Sequence, residues 1–358
     1  MAAMELNPSF WRGRRVLLTG HTGFKGGWLA LWLQMLGAEV QGYALPAPTS
    51  PSLWQAARLA ERIPGTLADI RDSDCLANTV KQFQPEVVLH LAAQPLVRAS
   101  YASPADTYAT NVMGTVHLLE AVRQCSTVRA VVVVTSDKCY DNCEWPWPYR
   151  EQDSLGGHDP YSSSKACVEL LCASWRASFL QGSGTQLATA RAGNVIGGGD
   201  GSPDRLVPDA LRAWERGETL VLRYPHATRP WQHVLEPLHG YLLLAQALAE
   251  GQDHAAAAWN FGPDTHGVAS VAEVVGQLSA LWPGPAAWRA EVPAQQPHEA
   301  GLLALDSAKA RRLLGWRTRW TLAQALDRTV AWHSAWRAGA DMQVFTRAQI
   351  AAFQDSAS

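Results

Sequence analysis

Five apolar runs constrain this chain more than any other feature: "RRVLLTG" (14–20), "AEVQGYAL" (38–45), "PEVVLHLAA" (85–93), "VRAVVVVTS" (128–136) and "TQLATARAGN" (185–194). Each is apolar nearly throughout and bounded by turn residues, the pattern of a strand covered on both faces. Between them, "GGWLALWLQMLG", "DCLANTVKQFQ", "NVMGTVHLLEAVRQC" and "YSSSKACVELLCASWRASFL" place apolar residues at helical spacing. Strands of this kind alternating with helices predict an α/β fold with a doubly wound parallel sheet, whose ligand site lies beyond the carboxyl ends of the strands. After about residue 195 the pattern loosens into Gly/Pro-rich loops, short strands and the helical stretches "PDALRAWERG" and "EPLHGYLLLAQALAEG". Residues 1–194 therefore read as the main α/β unit. Residues 195–358 read mainly as a smaller C-terminal α/β substrate domain, from which some segments can return to the first.

The first strand runs into "TGHTGFKG", which places Gly20, Gly23 and Gly26 three residues apart before a helix. Glycines there let the backbone turn tightly and let a pyrophosphate approach the helix N-terminus, where free N–H groups and the helix dipole favour an anion. The position of this turn, with Thr22 and Phe24 inside it, makes the first unit a Rossmann-type dinucleotide-binding domain. The second strand ends in "VQGYAL", which has neither the acid that reads an adenosine ribose nor a nearby Arg or Lys. An unpaired buried 2′-phosphate would be costly, so NAD is the expected cofactor. Asp69 and Ile70, after the third strand, are candidates to hold the adenine, with a capping role for Asp69 as the alternative.

In "DPYSSSKACVEL", Tyr161 and Lys165 stand four residues apart at a helix start and so share a face. A neighbouring ammonium favours the phenolate, which makes the pair a plausible general base. A strand ending at Ser136 precedes it, and the run continues "TSDKCYDN", bringing Asp137 and Lys138 out of the core together.

The glycine turn, Ser136 and YxxxK in register resemble the extended short-chain dehydrogenase/reductases that act on nucleotide sugars, and "HLAAQP", with Ala92, and "LDSAKARRLLGW" look like the same group. By that resemblance Tyr161 is the catalytic base, Lys165 lowers its pKa and holds the nicotinamide ribose, and Ser136 hydrogen-bonds the reacting hydroxyl. Two further ionisable groups imply a second proton-transfer step, as in the nucleotide-sugar 4,6-dehydratases, whose dTDP- and GDP-sugar members carry two acids where this chain has Asp137 and Lys138. The lysine is similar to the branch acting on CDP-glucose, as are "TGHTGFKGGWL", "RAGNVIGGGD", "DRLVPD" and "RPWQHVLEPL". The implied substrate is a CDP-sugar, with Asp137 as the acid that expels water and Lys138 either as the C5 base or as a cation stabilising an enolate. Asn194, Arg205 and Arg229 are candidates for the diphosphate and His233 belongs to the same motifs, as does Arg191 without an assigned role. "HEAGLLALD" (298–306) is expected to border the sugar pocket. Superfamily members commonly pair through the YxxxK helix, so a homodimer or homotetramer is implied.

Composition excludes other classes. With 30 basic and 32 acidic side chains, a formal net charge of −2 and no block of like charge, no nucleic-acid face is expected. No run of 18 or more apolar residues suggests a membrane span, and "MAAMELNPSFWRGRR" has no apolar signal core. The six cysteines include no CxxC pair, which fits reduced thiols in the cytoplasm, and the spacing of Cys139, Cys143 and His158 matches no common zinc pattern, so no metal is expected. Most of the sixteen tryptophans read as packing residues.

Overall fold

The computed structural model describes residues 4–264, 267–291 and 301–356. Its first six strands are β1 (Arg15–Thr19), β2 (Glu39–Ala44), β3 (Gly65–Leu67), β4 (Val87–His90), β5 (Ala130–Val134) and β6 (Gln186–Ala192). Three short strands follow, β7 (Asn194–Ile196), β8 (Leu220–Leu222) and β9 (Thr228–His233), and then β10 (Ala258–Phe261), β11 (Val268–Ser270) and β12 (Trp288–Ala290). The main sheet is parallel throughout in the order β10-β6-β5-β4-β1-β2-β3. Strand order reverses between β1 and β4, so a crevice opens beyond their carboxyl ends.

The period-2 alternation inside the apolar runs sends residues to two separate cores. Val16, Leu18, Val132 and Val134 join a cluster that includes Trp28, Trp32, Leu238 and Leu242 from the helices α1 (Phe24–Met35) and α6 (Leu235–Ala249). Leu17, Val131 and Val133 face the other way, onto Leu76 and Val80 of α2 (Ser73–Phe83), Leu118 and Leu119 of α3 (Gly114–Arg123) and Val168 of α4 (Pro160–Ser178). Burying each such side chain is worth about 1.5–3 kcal/mol, which is why β4 and β5 tolerate no exposed position. Trp11, Trp28, Trp32, Trp259 and Trp316 are fully buried, whereas Trp147 is exposed.

The chain returns to this sheet after residue 194: α6 packs on β5 and β6, and β10 extends the sheet beyond β6. The remaining strands form two small sheets, β11-β9-β7 and β12-β8, around a third apolar cluster that includes Leu211 and Trp214 of α5 (Leu206–Glu215) and Trp231. The strands expected to reach 93, 136 and 194 end at His90, Val134 and Ala192. Apolar character continues past the last ladder pair, and the chain there peels away to wall the crevice.

Helix α4 begins with Pro160 at its first position and Asp159 as N-cap, whose carboxylate accepts from the Ser162 N–H at 2.9 Å and the Ser162 hydroxyl at 2.6 Å. The cap fixes where Tyr161 leaves the helix. Asp159→Ala is expected to cost about 1 kcal/mol of stability, read as a lower denaturant midpoint; an unchanged midpoint would show that the cap does not hold the helix.

Candidate active site

A cleft of about 730 Å³ lies at the carboxyl ends of β1, β4 and β5 and extends to the small sheets. Gly20, Thr22, Gly23, Phe24, Gly26, Asp69, Ile70, Ala92, Ser136, Asp137, Lys138, Tyr161, Lys165, Asn194, Arg205 and Arg229 all contribute to its wall. These are the sequence-predicted positions with one exception. His233 lies in the core: it is fully buried, its Nδ1 accepts the Leu235 N–H at 3.3 Å, and its ring packs edge-on against Trp28 and Trp320. Burial lowers its pKa to about 3, so it is a neutral packing residue and is corrected from the substrate-binding set.

The three glycines of the turn have three different reasons to be glycine. Gly20 has φ +77°, and a Cβ there would lie 2.7 Å from the Ala92 nitrogen, so it makes the turn itself. A Cβ on Gly26 would stand 2.0 Å from the Gly20 carbonyl oxygen, so it allows the helix to seat on the turn. Gly23 is different: its Cβ would meet only the Gly20 oxygen, at 3.3 Å, and otherwise face the cleft. Gly23 is also the N-cap of α1 and offers no side chain to the helix's first N–H groups. That combination of bare N–H groups and backbone open to the cleft fits a pyrophosphate. Thr22 pins the turn to the end of β2, its hydroxyl donating to the Leu45 carbonyl at 2.7 Å.

At the far end of this half, Ile70 is buried against Gly114, and the Asp69 carboxylate is held by Arg71 at 2.7 Å. The Arg71 guanidinium keeps the Asp69 carboxyl below its usual range. No acid stands at the end of β2, where Ala44, Leu45 and Pro46 line the cleft.

Beyond β5 the chain forms a single 3-10 turn, Asp137–Cys139, capped by Ser136, whose oxygen accepts the Lys138 N–H at 3.2 Å. The Ser136 hydroxyl donates to Asp137 Oδ1 at 2.9 Å. Asp137 is 2% exposed, and its Oδ2 is buried without a hydrogen-bond partner. Burial raises the Asp137 pKa; Lys138, the Ser136 hydroxyl, Arg229 and Lys25 oppose the rise without cancelling it. Burial thus makes the protonated carboxyl easier to hold than in a surface aspartate, and one of its oxygens is uncommitted.

The turn is clamped from both sides. Thr135 and Thr189 donate to Glu169 of α4 at 2.5 and 2.6 Å, and Arg191 donates to the same carboxylate at 2.8 Å. Burial works against the Glu169 charge, but the Arg191 guanidinium and the two hydroxyls more than offset it and hold the carboxyl below its ordinary value. Arg191 also donates to the Tyr140 hydroxyl at 2.8 Å, and that hydroxyl donates to Asn260 at 2.7 Å. The unassigned Arg191 is thus part of the support beneath the turn.

Tyr161 and Lys165 face this turn from α4. The Lys165 amine donates to the Val134 carbonyl at 3.2 Å, and burial lowers its pKa to about 8. Burial pushes the Tyr161 phenol up to about 12, with the Asp137 charge adding to the rise and Ser136 and Arg205 opposing it. In the free protein burial outweighs the groups that favour the Tyr161 phenolate.

Several wall residues carry no motif. Arg98 and Arg223 both approach Asp204, at 3.7 and 3.5 Å, while Arg205 pairs with Asp200 at 3.1 Å. With Arg229, which donates to the Thr228 and Gly301 carbonyls at 2.8 and 3.2 Å, four arginines line the half of the cleft nearer the small sheets. Trp231 is the tryptophan on the wall, its ring nitrogen committed to the Ala269 carbonyl. Of the "HEAGLLALD" segment, residues 298–300 lie outside the described residues, and Gly301 meets Arg229. Among the described residues no group of three His, Cys, Asp or Glu side chains could hold a metal ion, and no helix is long and apolar enough to cross a membrane. Cys139 is buried, and Cys143 and His158 are exposed.

Comparison with known proteins agrees with this geometry. The family model described as GDP-mannose 4,6 dehydratase matches residues 17–329. A CDP-glucose 4,6-dehydratase of Salmonella typhimurium is 49% identical over 356 residues, 98% of this chain and 99% of that protein. Among solved structures, a UDP-glucose 4-epimerase of Stenotrophomonas maltophila with bound NAD and formylated UDP-arabinopyranose superposes with a TM-score of 0.77 at 25% identity, covering 91% of this chain and 100% of that one. A dTDP-glucose 4,6-dehydratase of Bacillus anthracis in complex with NAD gives 0.74 at 22% identity, covering 90% and 96%.

The glycine geometry separates two variants that sequence alone would treat alike. Gly23→Val is expected to leave the fold intact and abolish dinucleotide binding, measured by fluorescence titration, because only the cleft receives the added atoms. Gly20→Val is expected to lower the melting temperature as well, because its Cβ meets backbone. A Gly23→Val protein that binds the dinucleotide normally would place the pyrophosphate elsewhere.

Proposed function

The chain belongs to the GDP-mannose 4,6-dehydratase family, and on that premise we propose that it converts CDP-glucose to CDP-4-keto-6-deoxyglucose and water, with NAD as a cofactor that is regenerated. The choice of the CDP-sugar is supported by the 49% identity, over nearly the full length of both chains, with the Salmonella CDP-glucose 4,6-dehydratase. The observation that carries the reaction class is the Ser136-Asp137-Lys138 turn opposite Tyr161. A 4-epimerase needs only Ser136, Tyr161 and Lys165 and leaves a buried acid and an adjacent amine without a task.

Bound NAD supplies an acceptor for the C4 hydride, a donor that returns it to C6, and a positive ring that favours the Tyr161 phenolate. The residues that would hold it are the backbone of Gly20, Gly23 and Gly26, with Asp69, Ile70 and Ala92 along the adenosine half and Lys165 at the nicotinamide ribose. Tyr161 receives the proton of the C4 hydroxyl while Ser136 orients that hydroxyl. The 4-keto group then makes the C5–H acidic, which is why oxidation precedes elimination.

Lys138 stands on the turn beside the acid and, with its amine in the neutral form, takes the C5 proton, and Asp137 gives its proton to the C6 hydroxyl as water leaves. The raised pKa of Asp137 suits that donation. Arg98, Arg205, Arg223 and Arg229, with Asn194, offer forked donors to the diphosphate.

The scheme makes an isotope claim. With CDP-glucose deuterated at C4, the label is expected in the C6 methyl group of the product, and C5 takes hydrogen from solvent, both read by NMR. dTDP-, GDP- and UDP-hexoses are expected to turn over far more slowly. Label lost to solvent, or an unlabelled C6, would contradict internal return of the hydride; label back at C4 of a hexose epimer would make the protein an epimerase.

A further inference from the structure

Asp204, which stands between two arginines of the cleft wall, has no part in the scheme above. It opens "DRLVPD", the stretch that supplies Arg205. Its Oδ1 lies 3.7 Å from Arg98 Nε and 3.5 Å from both Nη1 and Nη2 of Arg223, and all three side chains line the cleft. They come from separate parts of the chain: Arg98 from the helix Val97–Ala102 after β4, Asp204 from the loop before α5, and Arg223 from the end of β8. The contact therefore joins the main-sheet side of the cleft to the side of the small sheets.

These contacts are loose. A separation of 3.5 Å is at the outer limit of a hydrogen bond and 3.7 Å is beyond it, and the three side chains are 32–41% exposed. The neighbouring pair is different: Arg205 meets Asp200 at 3.1 Å, and the nearly enclosed Asp200 carboxylate also accepts the Ser202 N–H at 3.0 Å. An exposed ion pair of the Asp204 kind shifts an equilibrium by a factor of up to about five, so a better anion displaces it readily. A diphosphate is such an anion, because a guanidinium meets its oxygens in short, charge-assisted, forked bonds. We propose that Asp204 is an internal competitor for the substrate diphosphate: it holds Arg98 and Arg223 in the free protein, yields them on binding and recaptures them as product leaves. This rests on the reading that places the diphosphate at these arginines.

The backbone shows which partner moves. Arg212 of α5 donates to the Gly201 and Ser202 carbonyls at 2.9 and 3.0 Å, so the loop leading to Asp204 is anchored. Asp204 itself has φ +58°, a left-handed conformation that Asp and Asn tolerate better than other side chains. A short carboxylate on an anchored loop has little reach, whereas the two arginines are long and partly solvated. The exchange is therefore made by the guanidinium groups swinging from the carboxylate to the ligand, without movement of the loop.

The test measures binding of CDP and of inorganic pyrophosphate to the NAD-loaded protein by calorimetry. Asp204→Asn removes the charge, keeps the size and suits the same backbone. It is expected to tighten both ligands about three- to fivefold. Loss of any acid makes the cleft more positive, so a second background separates competition from general attraction. In Arg98→Gln/Arg223→Gln both ligands are expected to bind more weakly, and adding Asp204→Asn there is expected to restore nothing. Unchanged or weaker binding in Asp204→Asn overturns the proposal, the weaker case making Asp204 an aligner of the arginines. Tightening of the same size without the two arginines also overturns it.

The steady state gives a further readout. With CDP-glucose, Asp204→Asn is expected to lower KM by a similar factor without raising kcat, because a competitor acts on binding and release and not on bond-making. A raised KM would overturn the proposal. Full affinity for CDP in Arg98→Gln/Arg223→Gln would remove the diphosphate from these arginines and the proposal with it. Failure of the original protein to dehydrate CDP-glucose would sink the substrate assignment, whereas the pyrophosphate titrations decide the role of Asp204 without it.

Discussion

The buried contact between Glu169 and Arg191 carries the site. Two opposite charges that are almost fully enclosed, at 3% and 2% side-chain exposure, hold each other at 2.8 Å. Desolvation makes such a pair a poor source of net stability, but breaking one partner leaves an uncompensated charge and typically costs about 3–5 kcal/mol. Its geometry is therefore enforced. Glu169 holds Thr135 immediately before the Ser136-Asp137-Lys138 turn, and Arg191 holds Tyr140 immediately after it. The turn is fixed at both ends to α4 and β6, with Tyr140 tied on to β10 through Asn260.

This fixed turn explains why a chain would bring a carboxylate and an amine out of its core side by side. Asp137 stays enclosed, which keeps it protonated more readily than a surface acid, and its one uncommitted oxygen faces no other donor. Opposite it, α4 presents Tyr161 from a capped first turn. In the proposed scheme hydride transfer uses the glycine turn and Tyr161, and elimination uses the turn after β5. The doubly wound sheet brings the two sets together because they stand at the carboxyl ends of the parallel strands β1 and β5, with only β4 between them.

Much of this was legible in the sequence. Strand β5 announced itself by an unbroken apolar run, and β4 and β6 by runs interrupted only by His90, Thr189 and Arg191, polar residues that a sheet covered on both faces accepts because each has a buried partner. Tyr161 and Lys165 were legible from their helical spacing and Ser136 from its place at a strand end. What escaped was whatever depends on distant chain segments. Lys25 meets Tyr241 only in the folded protein, and Arg98, from the helix Val97–Ala102, converges on Asp204 with the distant Arg223. His233 shares the strand parity of the cleft residues Arg229 and Trp231, yet at the last position of β9 its ring is packed against Trp28 and Trp320 in the core, which no periodicity shows. Nor does the sequence show that the Lys165 amine is engaged by the Val134 carbonyl.

The central claim is that Asp137 and Lys138 serve elimination and not oxidation. The most direct measurement is a single turnover of CDP-glucose on NAD-loaded protein, comparing Asp137→Asn and Lys138→Met with the original chain. A carboxamide keeps the size of Asp137 but is a poor proton donor, and methionine keeps the length of Lys138 without its amine. The account predicts that cofactor reduction proceeds in both variants and then does not decay, with the 4-keto, still 6-hydroxylated sugar held in the cleft. Loss of cofactor reduction in proportion to the loss of overall turnover would place both residues in the first step and contradict the dehydratase role assigned to this turn.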